Sequence, residues 1–296
     1  MTTLSDLIRT TSRYLMSGER EIRNQLSAGV AAGATTLNFT YSVLNLAPGV
    51  YLSVDLEIFY VWDVAASGYS ATVIGGQLGS TPAAHNAGAI AYVNPKFTDF
   101  AIAQALNEEL ASLSSPINGL FAAKMETITY NPVIRAYDLS GVSGLLDVIQ
   151  VRYKTPNPDQ YFPPVRGWKL LRNQVDAYFG SGFALQMIRG GGFPGEPIYV
   201  LYKAPFAPLV NLTDDAVAVA GLPATAVDIP PVGAAIRMVA GREILRNFTD
   251  SESDPKRLEE VPAGAVAASV KNLMMLRAQR ITEEAGRLAQ AYPRES

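Results

Sequence analysis

The fold of this chain is decided by the stretch from residue 51 to residue 64, which reads YLSVDLEIFYVWDV. β-branched and aromatic residues fill this stretch, and such residues are enriched in strands. Shorter runs of the same type lie at residues 35–41, 71–74 and 89–93, with glycine, proline and asparagine between them. The pattern predicts a small β-barrel or β-sandwich module over residues 29–94.

A second group of β-rich runs begins after a helical interval. These runs, separated by turn residues, lie at residues 126–130, 133–139, 145–153, 167–171, 174–179, 183–188 and 198–202. Short strands in such a series are typical of an antiparallel sandwich. We therefore expect a second, larger β-sandwich module over residues 126–210.

Helical periodicity fills the rest of the chain. Apolar residues recur at helical spacing in residues 1–28, in residues 95–125 and in residues 211–296, where Pro230 and Pro231 begin a helix. Short helices cannot bury their apolar stripes alone. The sequence therefore predicts an α+β protein in which a helical bundle, built from separated chain segments, carries two inserted antiparallel β-modules.

Composition narrows the class of protein. The chain has 296 residues, 48% hydrophobic and 17% charged, with a formal net charge of -3 and no cysteine. It lacks the global basic field of a nucleic-acid binder, and it can form neither disulfides nor thiolate metal sites. No run of about 20 apolar residues predicts a membrane span, and Asp6, Arg9 and Arg13 lie where a signal peptide needs an apolar core. We expect an unprocessed, soluble protein.

Motifs for catalysis, cofactors or metals are incomplete. His85 is the only histidine, and a turn histidine is favoured over a catalytic one because no carboxylate lies near it in the sequence. The GxGxxG match at residues 190–195 precedes a predicted strand, so a hairpin loop is favoured over a phosphate site. The calcium-loop alternation at residues 250–254 fails because Pro255 replaces the required glycine. The sequence predicts no catalytic residue, no cofactor and no metal.

Several segments resemble one family. Residues 76–88, GQLGSTPAAHNAG, continue to AYVNPKF at residues 91–97 and to the helix at residues 102–113. The β-rich residues 145–153, GWKL at residues 167–170 and YKAPF at residues 202–206 follow, and then VDIPPVGAA at residues 227–235 with GRE at residues 241–243. Together these passages resemble head-to-tail connector, or adaptor, proteins of tailed bacteriophages.

The resemblance implies a structural role in the virion neck. The chain would be made in the host cytoplasm, and copies of it would form a closed ring, usually of twelve. The ring would lie between the portal protein and a downstream neck or tail protein. DNA would pass through its lumen during genome ejection without sequence-specific binding, and no membrane or enzymatic activity would be involved.

The predicted terminal helix at residues 263–292 is a candidate docking element. It would span roughly 40 Å, whereas helices of 15 to 20 residues reach only about 25 to 30 Å. An uncovered apolar stripe usually marks an interface, here with a neighbouring subunit or the portal; the alternative is a helix folded back on its own bundle. The candidate docking residues are Val266, Val270, Leu273, Arg277, Arg280, Ile281, Arg287 and Leu288.

Two other functions stay open. One alternative is a tail or baseplate structural protein. A β-sandwich carbohydrate-binding module or glycoside hydrolase would use Trp62 and Trp168 to stack on sugars and Asp147 and Asp176 as acids. For the aromatic run at residues 59–62, core packing is favoured over a sugar or partner surface, because strand positions need cross-strand partners.

Overall fold

The computed structural model describes residues 1–16, 21–43, 46–156, 161–175, 177–188, 192–249 and 265–293. Within these ranges the chain forms four α-helices and twelve strands in three antiparallel sheets, one of them a half-barrel. The protein is predominantly β, so the predicted helical bundle with inserted β-modules is wrong. The prediction assumed that the helices must cover one another, but a large apolar core lies on strands.

The first sheet has six strands and confirms the β-structure predicted around residues 51–64. Its strands are β1 (Arg23–Gln25), β2 (Thr36–Asn38), β3 (Tyr51–Val54), β4 (Glu57–Val64), β5 (Ser70–Ile74) and β6 (Ile90–Val93). They are ordered β1-β6-β3-β4-β5-β2. Leu52, Phe59 and Val61 are among the buried residues that form the core on one face of this sheet. Alternation along each strand turns the intervening residues to the other face.

The second β-region forms two antiparallel sheets of three strands each. Its strands are β7 (Ala122–Thr129), β8 (Ala136–Asp138), β9 (Asp147–Tyr153), β10 (Trp168–Leu171), β11 (Ala184–Met187) and β12 (Pro197–Ala204). One sheet has the order β10-β11-β8 and the other β7-β12-β9. The run predicted as a strand at residues 174–179 forms turns in its described part.

The helices begin where the sequence supplies caps. They are α1 (Leu4–Met16), α2 (Asp99–Leu113), α3 (Ile229–Thr249) and α4 (Ala265–Ala291). Thr3 and Asp6 form a reciprocal capping box at α1, because each backbone N–H donates to the other side chain. Thr98 accepts from the backbone N–H of Ala101 at the start of α2. α1 packs against α3.

The helical structure predicted over residues 1–28 is wrong for the last part of that segment. Residues Arg23–Gln25 form β1, which pairs with β6 at the edge of the six-stranded sheet. Ile22 is exposed and Leu26 is buried in the sheet core. The apolar spacing suggested a helix there, but these residues pair with the edge of the sheet instead. An unpaired sheet edge offers backbone hydrogen bonds to an extended segment, and these bonds replace those of a helix.

The chain divides into two compact units, with boundaries inside α2 and α4. Unit 1 comprises residues Met1–Glu109, Leu209–Val219 and Val227–Ala278, and unit 2 comprises Leu110–Pro208, Ala220–Ala226 and Gln279–Ser296. Among the described residues, none of the helices is both long enough and apolar enough to cross a bilayer.

Candidate functional site

The only histidine of the chain lies at the centre of a buried charged cluster in unit 1. Nδ1 of His85 donates to Oδ2 of Asp55 at 2.8 Å, and Nε2 donates to Oε2 of Glu57 at 2.8 Å. Because neither carboxylate oxygen can donate when ionised, both contacts require the imidazolium form. His85 and Glu57 are almost fully buried, whereas the Asp55 side chain is 39% exposed. We call this cluster of Asp55, Glu57 and His85 the histidine clasp.

Glu57 joins the clasp to the loop that follows β5. The backbone N–H of Gly76 donates to its Oε1 at 3.0 Å, and that of Ala83 donates to Oε2 at 2.9 Å. Next to this, the backbone N–H of Ile58 donates to the hydroxyl of Ser80 at 2.9 Å. Hydrogen bonds from strand β4 and from the turn before it therefore hold the loop at residues 75–88 in place.

The electrostatics of the clasp favour a charged histidine. Burial opposes protonation of the imidazole, but the hydrogen bonds to Asp55 and Glu57 outweigh burial and raise the pKa of His85 above its ordinary value of 6.5. Both ring nitrogens are occupied by carboxylates, so neither is free to accept a proton from a substrate. The arrangement stabilises a loop rather than activating a nucleophile.

Sequence reasoning missed the two partners of His85. The carboxylates precede it by 30 and 28 residues, at the turn between β3 and β4, so inspection of neighbouring positions could not find them. The signal was present in the run at residues 51–64, where two acidic residues interrupt an apolar β-pattern at the turn. Acidic residues in such a run need a cationic partner once the sheet buries them.

Beside the clasp lies a cleft of about 520 Å³ in unit 1. Its lining combines carboxylates with arginines; the charged residues are Arg9, Arg13, Glu21, Asp55 and Asp99. Burial, followed by the neighbouring charges of Glu21 and Asp55, raises the pKa of Asp99 to about 6. Its ionised form is thus disfavoured in the folded protein.

We expect Asp99→Asn to raise the free energy of unfolding at pH 7 by about 3 kcal/mol. The folded protein binds the Asp99 proton more tightly than the unfolded chain does, so native stability falls as the pH rises from about 4 to about 6. The gain should therefore vanish near pH 4. Urea unfolding at both pH values measures it.

Asp214→Asn is the control with the opposite sign. The backbone N–H groups of Asn211 and Val210 donate to this exposed carboxylate and lower the pKa of Asp214. Its substitution should reduce stability at pH 7. A loss of stability in Asp99→Asn at pH 7 would contradict the assignment of a disfavoured carboxylate.

The candidate docking residues in the first part of α4 are engaged with unit 1. Val270 is buried in a cluster with Val232 and Ile236, and Leu273 packs against that cluster. Nε of Arg277 donates to Oε1 of Glu109 at 2.6 Å. The side chain of Val266 lies outside the described part of the chain.

The remaining candidate residues are engaged in unit 2. Ile281 and Leu288 are buried. Arg280 and Arg287 both donate to Oε1 of the buried Glu284, at 3.2 and 2.8 Å. One face of α4 is therefore covered by its own chain, and the docking role of these residues stays a prediction.

The position of the Glu109 side chain explains why residue 233 on α3 is a glycine. Its buried carboxylate accepts from Arg237 at 3.1 Å and from Arg277. A Cβ atom at Gly233 would overlap the Glu109 side chain, which these two arginines hold in place. Only glycine at position 233 lets α3 approach this carboxylate so closely.

Gly233→Ala is therefore expected to lower the free energy of unfolding by about 1 to 3 kcal/mol through overpacking. Gly286→Ala on α4 is the matched control, since no atom lies within 4 Å of the added Cβ. The control should be neutral or stabilising by up to about 1 kcal/mol. Chemical denaturation compares the two, and equal effects would contradict the close approach.

The residues expected for a carbohydrate site do not come together. Trp168 is buried and Trp62 is 65% exposed, so core packing is confirmed for Phe59 but wrong for Trp62. Asp147 pairs with Arg172 at 3.4 Å. Asp176 lies outside the described residues.

Two other motif positions lie partly or wholly outside the described residues. These are the GxGxxG match, of which residues 190 and 191 are not described, and the acidic loop at residues 250–254. In the part that the structure describes, no group of three or more histidine or acidic side chains is arranged to hold a metal ion.

The sequence comparisons with known proteins identify no family for this chain. No protein-family model matches the chain, and no curated protein matches its sequence.

Proposed function

We propose that this chain is a non-enzymatic structural subunit of the neck of a tailed-bacteriophage particle. Copies of it form a closed ring, usually of twelve, between the portal protein and a downstream neck or tail protein. The lumen of the ring lets the genome pass. In a head-to-tail ring each subunit uses two different surfaces, one for each neighbour.

The observation that carries the proposal is the number of large apolar side chains that the folded chain leaves in solvent. The most exposed include Ile117 at 96%, Val133 at 85% and Tyr178 at 81%. Others lie on strands or helices rather than on loops, among them Trp62, Ile74, Met125, Met274 and Met275. Where such side chains are neighbours, as Trp62 is of Ile74 and Met274 is of Met275, they form apolar patches of the kind that bind partners.

The histidine clasp also supports a structural role. Its imidazole is held between two carboxylates and fixes the loop at residues 75–88. This loop belongs to the segment at residues 76–97 whose sequence resembles connector proteins. A subunit that must present the same surface in every copy benefits from rigidly held loops.

The charge of the chain fits a channel that DNA traverses. With a net charge of -3, the protein lacks the excess of lysine and arginine that phosphate binding requires. A lumen that bound DNA tightly would retain it. The same balance argues against sequence-specific recognition.

Light scattering after size-exclusion chromatography tests the proposal on the full chain, alone and mixed with the portal protein of the same particle. A ring of twelve copies of the 31.7 kDa chain weighs about 380 kDa. We expect such a ring, free or seated on the portal, and particle images should show a lumen.

Two outcomes would overturn the proposal. One is a monomer that stays monomeric with the portal protein, and the other is a twofold dimer as the final assembly. A monomer that also binds or cleaves oligosaccharides would favour the carbohydrate alternative instead.

A further inference from the structure

An exposed face of the six-stranded sheet carries a row of aromatic and aliphatic side chains. Tyr51 lies opposite Tyr60, and Tyr60 lies opposite Ile74, so the three side chains share one face across β3, β4 and β5. The rings of Tyr51 and Tyr60 pack edge to face, with centroids 5.6 Å apart. Ile74, at the end of the row, is 48% exposed.

A β-bulge extends this row with a tryptophan and an acid. Val61 pairs with Val73 and Asp63 pairs with Thr72, so Trp62 and Asp63 together oppose Thr72. The bulge therefore directs both side chains to the face of Ile74, and both are exposed. We call Tyr51, Tyr60, Trp62, Asp63 and Ile74 the aromatic face.

Helix α4 carries a second exposed apolar surface in unit 1. Lys271, Met274, Met275 and Ala278 follow one another at helical spacing and are all exposed. They lie on one flank of the helix, beside the buried Val270 rather than opposite it. We call these four residues the methionine face.

We infer that the methionine face of one copy docks on the aromatic face of the next copy, and this inference rests on the proposed ring. Flexible thioether side chains adapt to irregular apolar surfaces and make favourable contacts with aromatic rings. The two surfaces also carry opposite charges, because the methionine face includes Lys271 and the aromatic face includes Asp63. The partner surface is thus a second copy of this chain.

The same charges oppose the symmetric alternatives. Two aromatic faces would bring two copies of Asp63 together, and two methionine faces would bring two copies of Lys271 together. Like charges across an interface suppress the wrong pairing. Pairing of two different surfaces is the arrangement that a closed ring requires.

Engineered cysteines test the docking without background, because the chain has none of its own. The double variant carries Trp62→Cys together with one cysteine on the helix. Three double variants are made, with the second cysteine at Met274, Met275 or Ala278. Testing three neighbouring positions allows at least one of them to lie within disulfide distance of position 62 in the next copy. Purified full-length variants are oxidised mildly at high protein concentration, and the products are resolved by mass.

We expect at least one double variant to give a ladder of dimers, trimers and higher oligomers. Docking should raise its yield about tenfold over the single variants, because it increases the effective concentration of the two thiols. The two single variants mixed together should give only dimers that contain one copy of each. The control pairs a cysteine at the exposed Tyr178 of unit 2 with Met275→Cys, and it should give no ladder.

Monomers from all three double variants, or equal cross-linking of each single variant with itself, would overturn the docking. These outcomes are separable from failure of the proposed function. Rings formed on the portal without cross-links would retain the neck role and remove this interface. A ladder from a protein that is absent from the particle neck would retain the interface and remove the neck role.

Discussion

Replacement of His85 by alanine is expected to lower the free energy of unfolding by about 3 kcal/mol, because it leaves the buried Glu57 carboxylate without its cationic partner. Glu57 is 1% exposed and keeps only the two backbone donors at Gly76 and Ala83. For a unit of this size the melting temperature should fall by roughly 6 to 12 °C. Calorimetry measures the fall, and faster hydrogen exchange at Gly76 and Ala83 locates it in the loop.

Asp55→Asn is the matched control for this variant. The Asp55 side chain is 39% exposed, and its backbone φ of 51° is one that asparagine tolerates. Loss of this more exposed contact should cost less than about 1 kcal/mol. Equal effects of the two substitutions, or no effect of His85→Ala, would contradict the buried clasp.

The stabilisation by His85 should also depend on pH. The pKa of His85 is raised in the folded protein, so the folded state holds this proton at pH values where the unfolded chain has released it. The contribution is fully present below about 6.5 and is lost as the pH rises through the folded-state pKa. The difference between the wild type and His85→Ala should therefore shrink in alkaline solution.

This site shows where inference from sequence reached its limit. The sequence alone favours a turn histidine, because local spacing carries no information about residues 28 positions away. Pairing of β3 with β4 places Asp55 and Glu57 at a turn, and the bridge between Val30 and His85 brings the histidine there. Strand pairing in the sheet brings the three residues of the histidine clasp together, and this pairing cannot be inferred from the residues next to His85 in the sequence.

The sequence predicted the individual helices and strands better than it predicted their arrangement in the fold. Proline positions and apolar spacing correctly predicted helices close to α2, α3 and α4, and β-branched runs correctly predicted most strands. The arrangement was wrong because apolar stripes show that a helix must be covered but do not identify what covers it. Trp62 likewise lies in a β-pattern typical of core, yet the bulge at β4 turns it outward.

Removal of residues 265–296, which ends the chain at Gly264, is expected to prevent stable folding rather than only assembly. Val270, Ile281 and Leu288 are each 7 to 8% exposed, and burial of one such side chain contributes about 1.5 to 3 kcal/mol. The truncation also removes Arg277 from Glu109 and the whole Glu284 cluster. Together these losses approach the total stability of an ordinary domain. Near-UV circular dichroism and limited proteolysis should report an unfolded or loosely packed chain.

Single substitutions on the same helix separate its two faces. Ile281→Ala should cost about 2 to 4 kcal/mol because it empties a packed site. Met275→Ala should change stability by less than about 0.5 kcal/mol, since Met275 is 56% exposed. Under the proposed docking, Met275→Ala weakens assembly while the monomer stays intact. A truncated chain that folds normally and fails only to assemble would contradict the structural role of α4 and would make the whole helix a docking element.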